Sequence, residues 1–380
     1  MGWSTVGLTQ SAQLALDTIL QKPAKGIPTL GPNIMEHAHL ERIAGVERGR
    51  YARDPVQTYL ACQHAVGANI IIQWIPDNPL SMGSRGFEGV SCGATTGATE
   101  LVLDGIAIDS PEAVIEHMEE FVFPALIRAA KEFDAQDRKR QILEYEASVQ
   151  QLLGPEILKG PYGVIRFPTM GYGSYGYGNY FMAFALYPEV MERYFALQAD
   201  YCILNNRAVV AAHDEGDLPP LGFLDHDMAD SRGTLVDVRM LDRIWFPHFA
   251  RCLEPVLRTD IKLMWHCDGN LMQMVPRLIE AGVKGFQGFQ YEDGMDYERI
   301  CRMQARDGDD LLIVAGVSVT RTLPMGTPAD VRQEMAWLVE NGPKAGLFLA
   351  ASSSITPGVP WENLKTFIEG LNYYRVRGRQ

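Results

Sequence analysis

The chain has 380 residues, enough for one large domain or two domains of ordinary size. Hydrophobic residues make up 47% of it and charged residues 21%, which is the composition of a soluble globular protein. The formal net charge of −13 argues against a nucleic-acid partner, because phosphate binding needs clustered Lys and Arg. No apolar run reaches the roughly 18 residues that a membrane-spanning helix needs, so we expect no membrane partner.

The cysteines and the first residues indicate the cellular compartment. Six cysteines, at positions 62, 92, 202, 252, 267 and 301, show no CxxC pairing, so a disulfide framework is not expected. The first ten residues, MGWSTVGLTQ, lack the charged and apolar regions of a signal peptide. The sequence therefore predicts a cytoplasmic protein with reduced thiols.

The N-terminal part of the chain is predicted to be mainly helical. We assign residues 1–60 to a helical extension and residues 61–380 to a catalytic domain. The run Asn69–Trp74 (NIIIQW) is the first clear strand candidate, since it is apolar and too short for a typical helix. The Gly-rich segment 82–100 that follows is expected to form a hairpin or loop over the sheet.

From Gly163 onward, strand-like runs alternate with segments of helical periodicity. With Asn69–Trp74 and one strand from the Gly-rich segment or from Leu101–Ile106, the total is about eight strands. This alternation predicts an α/β fold, a (β/α)8 barrel of the TIM type, with a doubly wound open sheet as the alternative. No GxGxxG or P-loop follows the first strand, which disfavours the open sheet. The strand-like runs from Gly163 onward are Gly163–Phe167, Leu221–Leu224, Ile261–Trp265, Gly282–Phe286, Leu311–Val314 and Gly346–Ala350.

Polar side chains follow most of these strands. In a barrel of parallel strands such residues converge on one mouth, where catalytic groups gather. A single one could be a cap or a turn residue, but a His, a Cys and several carboxylates together predict a metal or acid–base site. The residues are Asp225-His226-Asp227, His266-Cys267-Asp268, Gln287, Gln290, Glu292-Asp293, Ser318 and Ser352–Ser354.

The stretch Gly171–Phe181 alternates Gly with Tyr and follows the strand predicted at Gly163. Glycine lets the backbone bend closely around a ligand, and Tyr supplies flat amphipathic rings. We therefore expect Tyr172, Tyr175 and Tyr177 to line a substrate loop at the same mouth. A binding site lined by such aromatic rings suits a flat aromatic substrate or a tetrapyrrole-like ligand.

Over roughly residues 160–375 the chain resembles the uroporphyrinogen decarboxylase superfamily. Leu224-Asp225-His226-Asp227-Met228-Ala229 is similar to its Asp-Asp-(Ile/Met)-Gly segment, and His266-Cys267-Asp268-Gly269-Asn270 to its His-Ser-Asp-Gly and His-x-Cys-Gly variants. The family fold is a (β/α)8 barrel, in agreement with the strand pattern. Three further segments agree in order: Gly316–Ser318 with Thr320–Met325, then Gly326–Val331, and Ser352–Ser354 through Pro360–Asn363.

The resemblance implies one of two chemistries. True decarboxylases of the family remove carboxyl groups from a porphyrinogen and carry an Arg-Gln-Ala-Gly-Arg motif. The segment Arg42-Ile43-Ala44-Gly45-Val46 matches this motif at its first, third and fourth positions only. The other branch comprises methyltransferases that use a corrinoid carrier protein, and many hold zinc through His-x-Cys and a distant Cys. Here Asp268 and Ser352–Ser354 stand where those two cysteines would be expected.

Oxygen ligands in place of thiolates suit a zinc that polarises an ether oxygen. The resemblance thus predicts a methyltransferase that moves a methyl group from a methoxylated, aromatic substrate to a corrinoid, with the corrinoid supplied by a carrier protein. His266 is the expected zinc ligand, with Glu292, Asp227 and Cys267 as further candidates, although Cys267 points to the opposite side of an extended strand. Asp227, Asp268 and Glu292 are the candidate catalytic groups, and Gln290 joins the three tyrosines as a substrate contact.

Two alternatives stay open. One is a cofactor-independent decarboxylase in which Arg42, Arg48, Arg50 and Arg53 grip carboxylates. The other is a corrinoid- or tetrapyrrole-binding module without turnover, which the many polar strand-end residues disfavour. The sequence is also compatible with a homodimer.

Overall fold

The computed structural model describes residues 7–77, 82–83, 86–87 and 101–379. Its central element is a sheet of parallel strands that pair in the order β7-β6-β5-β4-β3, while β1 pairs with β2 in parallel. The strands are β1 (Ile70–Ile71), β2 (Leu158–Lys159), β3 (Leu221–Asp225), β4 (Lys262–His266), β5 (Gly285–Gln287), β6 (Leu312–Val317) and β7 (Leu347–Ala351).

Isolated parallel bridges join these two groups of strands into a closed ring. Tyr162, just after β2, pairs with Phe223 of β3. On the other side, Thr29 pairs with Leu349 of β7 and Leu30 with Ile70 of β1. Residues 29–30 therefore occupy the first of eight positions around a parallel barrel, and the predicted (β/α)8 fold is confirmed. The division into residues 1–60 and 61–380 stays a prediction, and residues 29–30 of the first segment contribute to the barrel wall.

Helices surround the barrel. The helix Pro55–Val66 follows Asp54, whose side chain caps it by accepting a hydrogen bond from the amide of Gln57. Residues 238–257 form two helices, which are divided at Trp245. The helices are Gln10–Ile19, His37–Ala44, Arg50–Arg53, Pro55–Val66, Pro111–His117, Phe123–Lys131, Ala135–Leu153, Tyr172–Tyr175, Tyr177–Leu186, Pro188–Gly216, Val238–Ile244, Phe246–Leu257, Val275–Glu280, Tyr297–Cys301, Thr322–Met325, Pro328–Asn341 and Trp361–Arg377, with a π-helical turn at Met118–Val122 and a 3-10 turn at Tyr291–Asp293.

Two strand predictions were wrong. In the run Gly163–Phe167 the residues Val164, Ile165 and Phe167 are buried, but the run is not a strand, because side chains rather than a neighbouring strand satisfy its backbone. Asn205 donates to the carbonyl of Val164, and Asn206 bonds both the amide and the carbonyl of Arg166. The barrel strand lies earlier, at β2.

The second wrong strand prediction concerns Leu101–Ile106. These residues belong to an antiparallel hairpin of Val102–Leu103 with Ile106–Ala107, outside the barrel. Asp104 and Gly105 both have positive φ, as an Asp-Gly hairpin turn requires. Of the Gly-rich segment 82–100, Met82–Gly83 pairs with Gly86–Phe87 in an antiparallel arrangement, and the rest lies outside the described residues. Four further short strand residues, Ala229–Asp230 with Gly233–Thr234, form a hairpin after β3.

The core beside β4 fixes which side chains face the barrel interior. Trp265 is fully buried and packs against Trp245 and Phe249, with ring centroids 6.2 and 5.7 Å away, on the helical layer outside the barrel. Because side chains alternate along a strand, the neighbouring His266 faces the interior. Among the described residues, no helix is both long and apolar enough to cross a membrane.

A buried ion pair joins the barrel to the helix Ala135–Leu153. Lys159 of β2 and Glu146 are each 1% exposed, and their Nζ and Oε2 atoms are 2.9 Å apart. Burial raises the pKa of Glu146 and lowers that of Lys159, while each partner's charge opposes the shift. Removal of one partner therefore leaves the other as a buried charge without compensation.

We expect Glu146→Gln to lower the free energy of unfolding by about 3–5 kcal/mol, as measured by urea denaturation at neutral pH. The loss should shrink as pH rises, because the buried Lys159 can then shed its proton. The double variant Glu146→Leu with Lys159→Met is the control and should cost less than the single one, since it removes both charges. A single variant as stable as the wild type would show that the pair contributes nothing.

Candidate metal centre at the barrel mouth

Three potential metal ligands meet at the carboxyl ends of β3 and β4. Asp225, Asp227 and His266 each offer one atom, and these atoms lie within 4.8 Å of one another. Strand register explains the meeting, because His266 is the direct partner of Asp225 in the parallel pairing of β4 with β3. Adjacent strands are about 4.8 Å apart, so side chains at paired positions on one face are neighbours.

Alternation along the chain turns His226 away from this group. Its Nε2 accepts a hydrogen bond from the amide of Met170 at 2.9 Å, and its ring stacks on Tyr172 at a centroid distance of 5.5 Å. Burial lowers the pKa of His226 to about 4, so the ring is neutral near pH 7. His226 is therefore a structural residue that supports the aromatic wall.

The same alternation separates the residues that follow β4. Cys267 is 2% exposed, its Sγ accepts from the amide of Met228 at 3.3 Å, and burial raises the pKa of its thiol to about 12. The structure thus does not bring Cys267 into the group of Asp225, Asp227 and His266. A thiol with so high a pKa is also a poor source of the thiolate that binds metal.

Asp268 lies beside the group. Its Oδ2 accepts from Ser353 Oγ at 3.0 Å, and its backbone amide donates to Asp227 Oδ1 at 3.2 Å. Its Oδ1 is buried and has no hydrogen-bond partner in the described part of the chain. Burial is the main reason that the pKa of Asp268 lies above its usual value.

The donor set fits a divalent metal. His266 has a buried Nδ1 without a hydrogen-bond partner among residues 7–77 and 101–379, and the two aspartates supply oxygen donors. One nitrogen and two carboxylates suit zinc in a site that keeps an open position. Space around the imidazole is restricted on one side, since a Cβ at Gly288 would lie 2.8 Å from Nδ1.

Tyr162 supports this centre from the next position of the barrel. Its hydroxyl donates a short hydrogen bond to Asp225 Oδ2, and Gln73 donates to the same hydroxyl at 3.4 Å. Burial, followed by the charge of Asp225, raises the pKa of Tyr162 far above its usual range, so the hydroxyl keeps its proton. It therefore fixes the orientation of one carboxylate without adding charge.

Two cavities meet at Tyr162, Phe223 and Asp225. The smaller one, of about 100 Å³, also contacts His266 and lies over the barrel axis. The larger one, of about 550 Å³, extends past Asp227 toward the helix Pro188–Gly216. Its volume falls in the range of small-molecule sites, about 300–1,000 Å³.

The stretch Gly171–Phe181, predicted as a loop, forms two short helices. Tyr172 lines the larger cavity, donates to the carbonyl of Asp227 at 2.7 Å, and stacks on Tyr177 at 4.9 Å. Tyr177 is 48% exposed and supports Tyr172 from outside. Tyr175 is buried, and its hydroxyl bonds His117 Nδ1 at 2.8 Å, so it lines neither cavity.

Gln290 and Glu292 follow β5 but hold neighbouring loops. Gln290 Oε1 accepts from the amide of Gly269 at 2.6 Å, which fixes the turn after His266. Glu292 accepts from Ser318 Oγ at 2.6 Å and from Thr320 Oγ1. The structure does not bring Glu292 into the group of possible ligands around His266. The substrate, catalytic and ligand roles assigned to these two residues remain predictions.

Two residues of the centre were missed in the sequence. Asp225 stands in the quoted Asp225-His226-Asp227 segment, but only Asp227 was chosen as a ligand. The period of two along a strand was the available signal, because it puts Asp225 and Asp227 on one face. No sequence pattern indicated Tyr162, because the sequence predicts the barrel strand at Gly163–Phe167, which begins after this residue.

Comparisons with known proteins agree with this architecture. A sequence profile described as Uroporphyrinogen decarboxylase (URO-D) matches residues 157–374, a segment that contains Tyr162, both aspartates and His266. No curated protein matches the chain. The structure is similar to a methyltransferase from Methanosarcina mazei, with a TM-score of 0.57 and 15% sequence identity over 96% of this chain and 98% of that one. At this identity the likeness shows the fold.

A second solved structure is more distant. It is described as a vitamin-B12 independent methionine synthase from Listeria monocytogenes, with 12% identity, coverage of 92% of this chain and 97% of that one, and a TM-score of 0.43, too low to support an argument. The family profile is the stronger finding, because it covers more than half of the sequence and the whole candidate centre. The chain belongs to the uroporphyrinogen decarboxylase family of enzymes.

Proposed function

We propose that this protein transfers a methyl group from a methoxylated aromatic compound to a corrinoid carried by a partner protein, with zinc held by Asp225, Asp227 and His266. The observation that supports this proposal is the grouping of two carboxylates and one imidazole at the barrel mouth, with no thiolate among them. The aromatic wall of the adjoining cavity supports the choice of an aromatic substrate.

The donor types favour an ether over a thiol as the molecule activated here. When bound, zinc supplies a Lewis acid that draws electron density from the ether oxygen. Carboxylate and imidazole ligands suit that task, whereas a thiol-activating zinc keeps thiolates around it. A phenoxide is a poor leaving group unless its developing charge is stabilised, so the site must supply this stabilisation.

The side chains around the centre hold the ligands in place. Tyr162 orients Asp225 through its hydroxyl, and the amide of Asp268 orients Asp227. Tyr172 presents its ring to the larger cavity and is backed by His226 and Tyr177. The ring of an aromatic substrate can pack against the edge of the Tyr172 ring, with its ether oxygen turned toward the carboxylates.

The reaction balances with the partner's corrinoid as acceptor. The bond between methyl carbon and oxygen breaks, the bonding electron pair stays on oxygen, and the methyl group passes to the reduced cobalt of the corrinoid. The oxygen takes up a proton and leaves as a phenol. Asp268, whose Oδ1 has no hydrogen-bond partner within the described ranges, is the candidate group for handling that proton.

Decarboxylation is the second candidate function, and the family name favours it. In that alternative the N-terminal arginines grip the substrate carboxylates, and three of these arginines are engaged elsewhere. Arg42 lies 3.8 Å above the ring of Trp361, Arg50 pairs with Asp54 at 2.7 Å, and Arg53 pairs with Glu47. Neither cavity at the mouth includes them.

The ligand assignment predicts zinc content. Asp225→Asn and His266→Ala should each reduce bound zinc to well below one ion per chain, as measured by elemental analysis of the purified protein. Tyr162→Phe removes only the support of Asp225, so we expect zinc affinity to fall roughly 10- to 100-fold. Circular dichroism verifies that each variant is folded.

Cys267→Ala is the matched control for the zinc measurement, since Cys267 lies next to His266 in the chain but turns away from the group. It should retain its zinc. Loss of zinc from Cys267→Ala together with full zinc content in Asp225→Asn would contradict the assignment and restore the thiol as a ligand.

The aromatic wall predicts a change in substrate affinity. Tyr172→Leu removes the aromatic edge that the substrate contacts and should weaken binding of an aryl methyl ether by roughly 3- to 10-fold, which corresponds to about 0.5–1.5 kcal/mol for an aromatic pair. Zinc content should stay unchanged. Tyr187→Leu, a tyrosine outside both cavities, is the control. If Tyr172→Leu and the control bind the ether equally tightly, Tyr172 does not belong to the substrate site.

The reaction itself predicts a spectroscopic signal. With a reduced corrinoid carrier and a panel of methoxylated aromatic compounds, the protein should convert the cobalt spectrum to that of methylcobalamin and release the phenol. Every ~1.4 kcal/mol of lost transition-state stabilisation slows the reaction roughly tenfold, so a chelator should come close to abolishing turnover. Release of CO2 from a carboxylated compound, with no methylcobalamin from any ether, would favour the decarboxylase instead.

A further inference from the structure

One arginine in the larger cavity has no ionic partner. Arg166 lines the same 550 Å³ cavity as Asp225 and Asp227, and its side chain is exposed to it. Among the residues that the structure describes, no carboxylate or carbonyl oxygen is paired with its guanidinium. Arg251 of the helix Phe246–Leu257, by contrast, bonds Asp200 at 2.7 Å.

The backbone of Arg166 is held in a defined position. The side chain of Asn206 accepts from its amide at 2.9 Å and donates to its carbonyl at 2.8 Å. Asn206 is fully buried in the helix Pro188–Gly216. This rigid, non-strand backbone is the same feature that made the sequence-based strand prediction wrong, and it keeps Arg166 at the cavity wall.

A second guanidinium strengthens the positive charge behind Arg166. Arg138 donates through Nε to Asn205 Oδ1 at 2.9 Å, and in the described part of the chain it forms no ion pair. Burial, and then the positive charge of Arg166, lower the pKa of Arg138. An anion bound beside Arg166 would offset the repulsion between the two guanidinium groups.

The lining of the cavity therefore combines groups of different chemistry. Asp225 and Asp227, which would hold the metal, and Arg166 all line it. Apolar and aromatic side chains, among them Phe167, Tyr201 and Phe223, line it as well. A planar ring that carries both an ether oxygen and an anionic group matches this set of groups.

We propose that Arg166 binds a carboxylate of the substrate, so that the substrates are methoxylated aromatic acids. Arginine suits this role because its planar guanidinium can form two parallel hydrogen bonds with a carboxylate. The methoxy part of this proposal rests on the proposed function, whereas the carboxylate part rests on the cavity alone. The two can therefore be tested separately.

The test measures binding without any corrinoid. Calorimetric titration of the purified protein at neutral pH compares hydroxybenzoates and methoxybenzoates with the corresponding benzamides, which have the same shape but no charge. We expect the acids to bind the wild type at least tenfold more tightly than the amides. Loss of a hydrogen-bonded charged contact weakens binding by roughly 10- to 100-fold, so Arg166→Gln should bring the acids to the affinity of the amides.

Two further variants serve as controls. Arg207→Gln removes the same charge from the helix Pro188–Gly216 at an exposed position outside the cavity, and it should bind the acids like the wild type. Arg166→Lys keeps the charge but not the paired donors, so it should retain part of the preference for acids. This variant and the acid-to-amide ratio of the wild type also decide the question if Arg166→Gln does not fold.

The outcomes separate the two proposals. Equal affinity of the wild type for acids and amides, or equal weakening by Arg166→Gln and Arg207→Gln, would overturn the carboxylate site even if neutral ethers are demethylated. Acid binding that depends on Arg166, without methylcobalamin from any ether, would support the carboxylate site and refute the methyltransferase reaction.

Discussion

The candidate centre depends on the register between β3 and β4. Pairing of His266 with Asp225 across two parallel strands brings the imidazole and the first carboxylate together, and the period of two then adds Asp227 from the same face. A slip of one residue would turn the opposite faces inward and present His226 and Cys267 instead. Both of those side chains have buried partners on the other face, the amides of Met170 and Met228, which oppose such a slip.

The architecture could be predicted from sequence because most barrel strands are uninterrupted apolar runs that end in polar groups. β3, β4, β6 and β7 are buried on both faces, and each was located to within a few residues. Such runs carry no information about which face is which, so the pairing of Asp225 with His266 could not be predicted. The strand prediction at Gly163–Phe167 was wrong for a related reason. A mostly apolar segment resembles a strand in sequence, whether its backbone hydrogen bonds go to neighbouring strands or to asparagine side chains.

The candidate site was predicted by residue type more successfully than by role. Asp227 and His266 do meet, but Cys267, Gln290, Glu292 and Tyr175 each have a nearby structural partner that no sequence pattern reveals. The distinction is physical: a polar side chain at a strand end either supports an adjacent loop or projects into the mouth, and the neighbouring loops decide which. The family resemblance gave the correct family for a different reason, since it rested on the order of several segments along the chain.

Closure of the barrel has a consequence for how the protein is made. Thr29 and Leu30 form the wall between β7 and β1, so one of their two neighbours, Leu349, comes from near the other end of the chain. During synthesis residues 29–30 keep one backbone edge unpaired until β7 has left the ribosome. Contacts between such distant residues slow folding because a large loop must close before they form. Early chains thus expose an open sheet edge, the kind of surface that chaperones cover and that aggregation exploits.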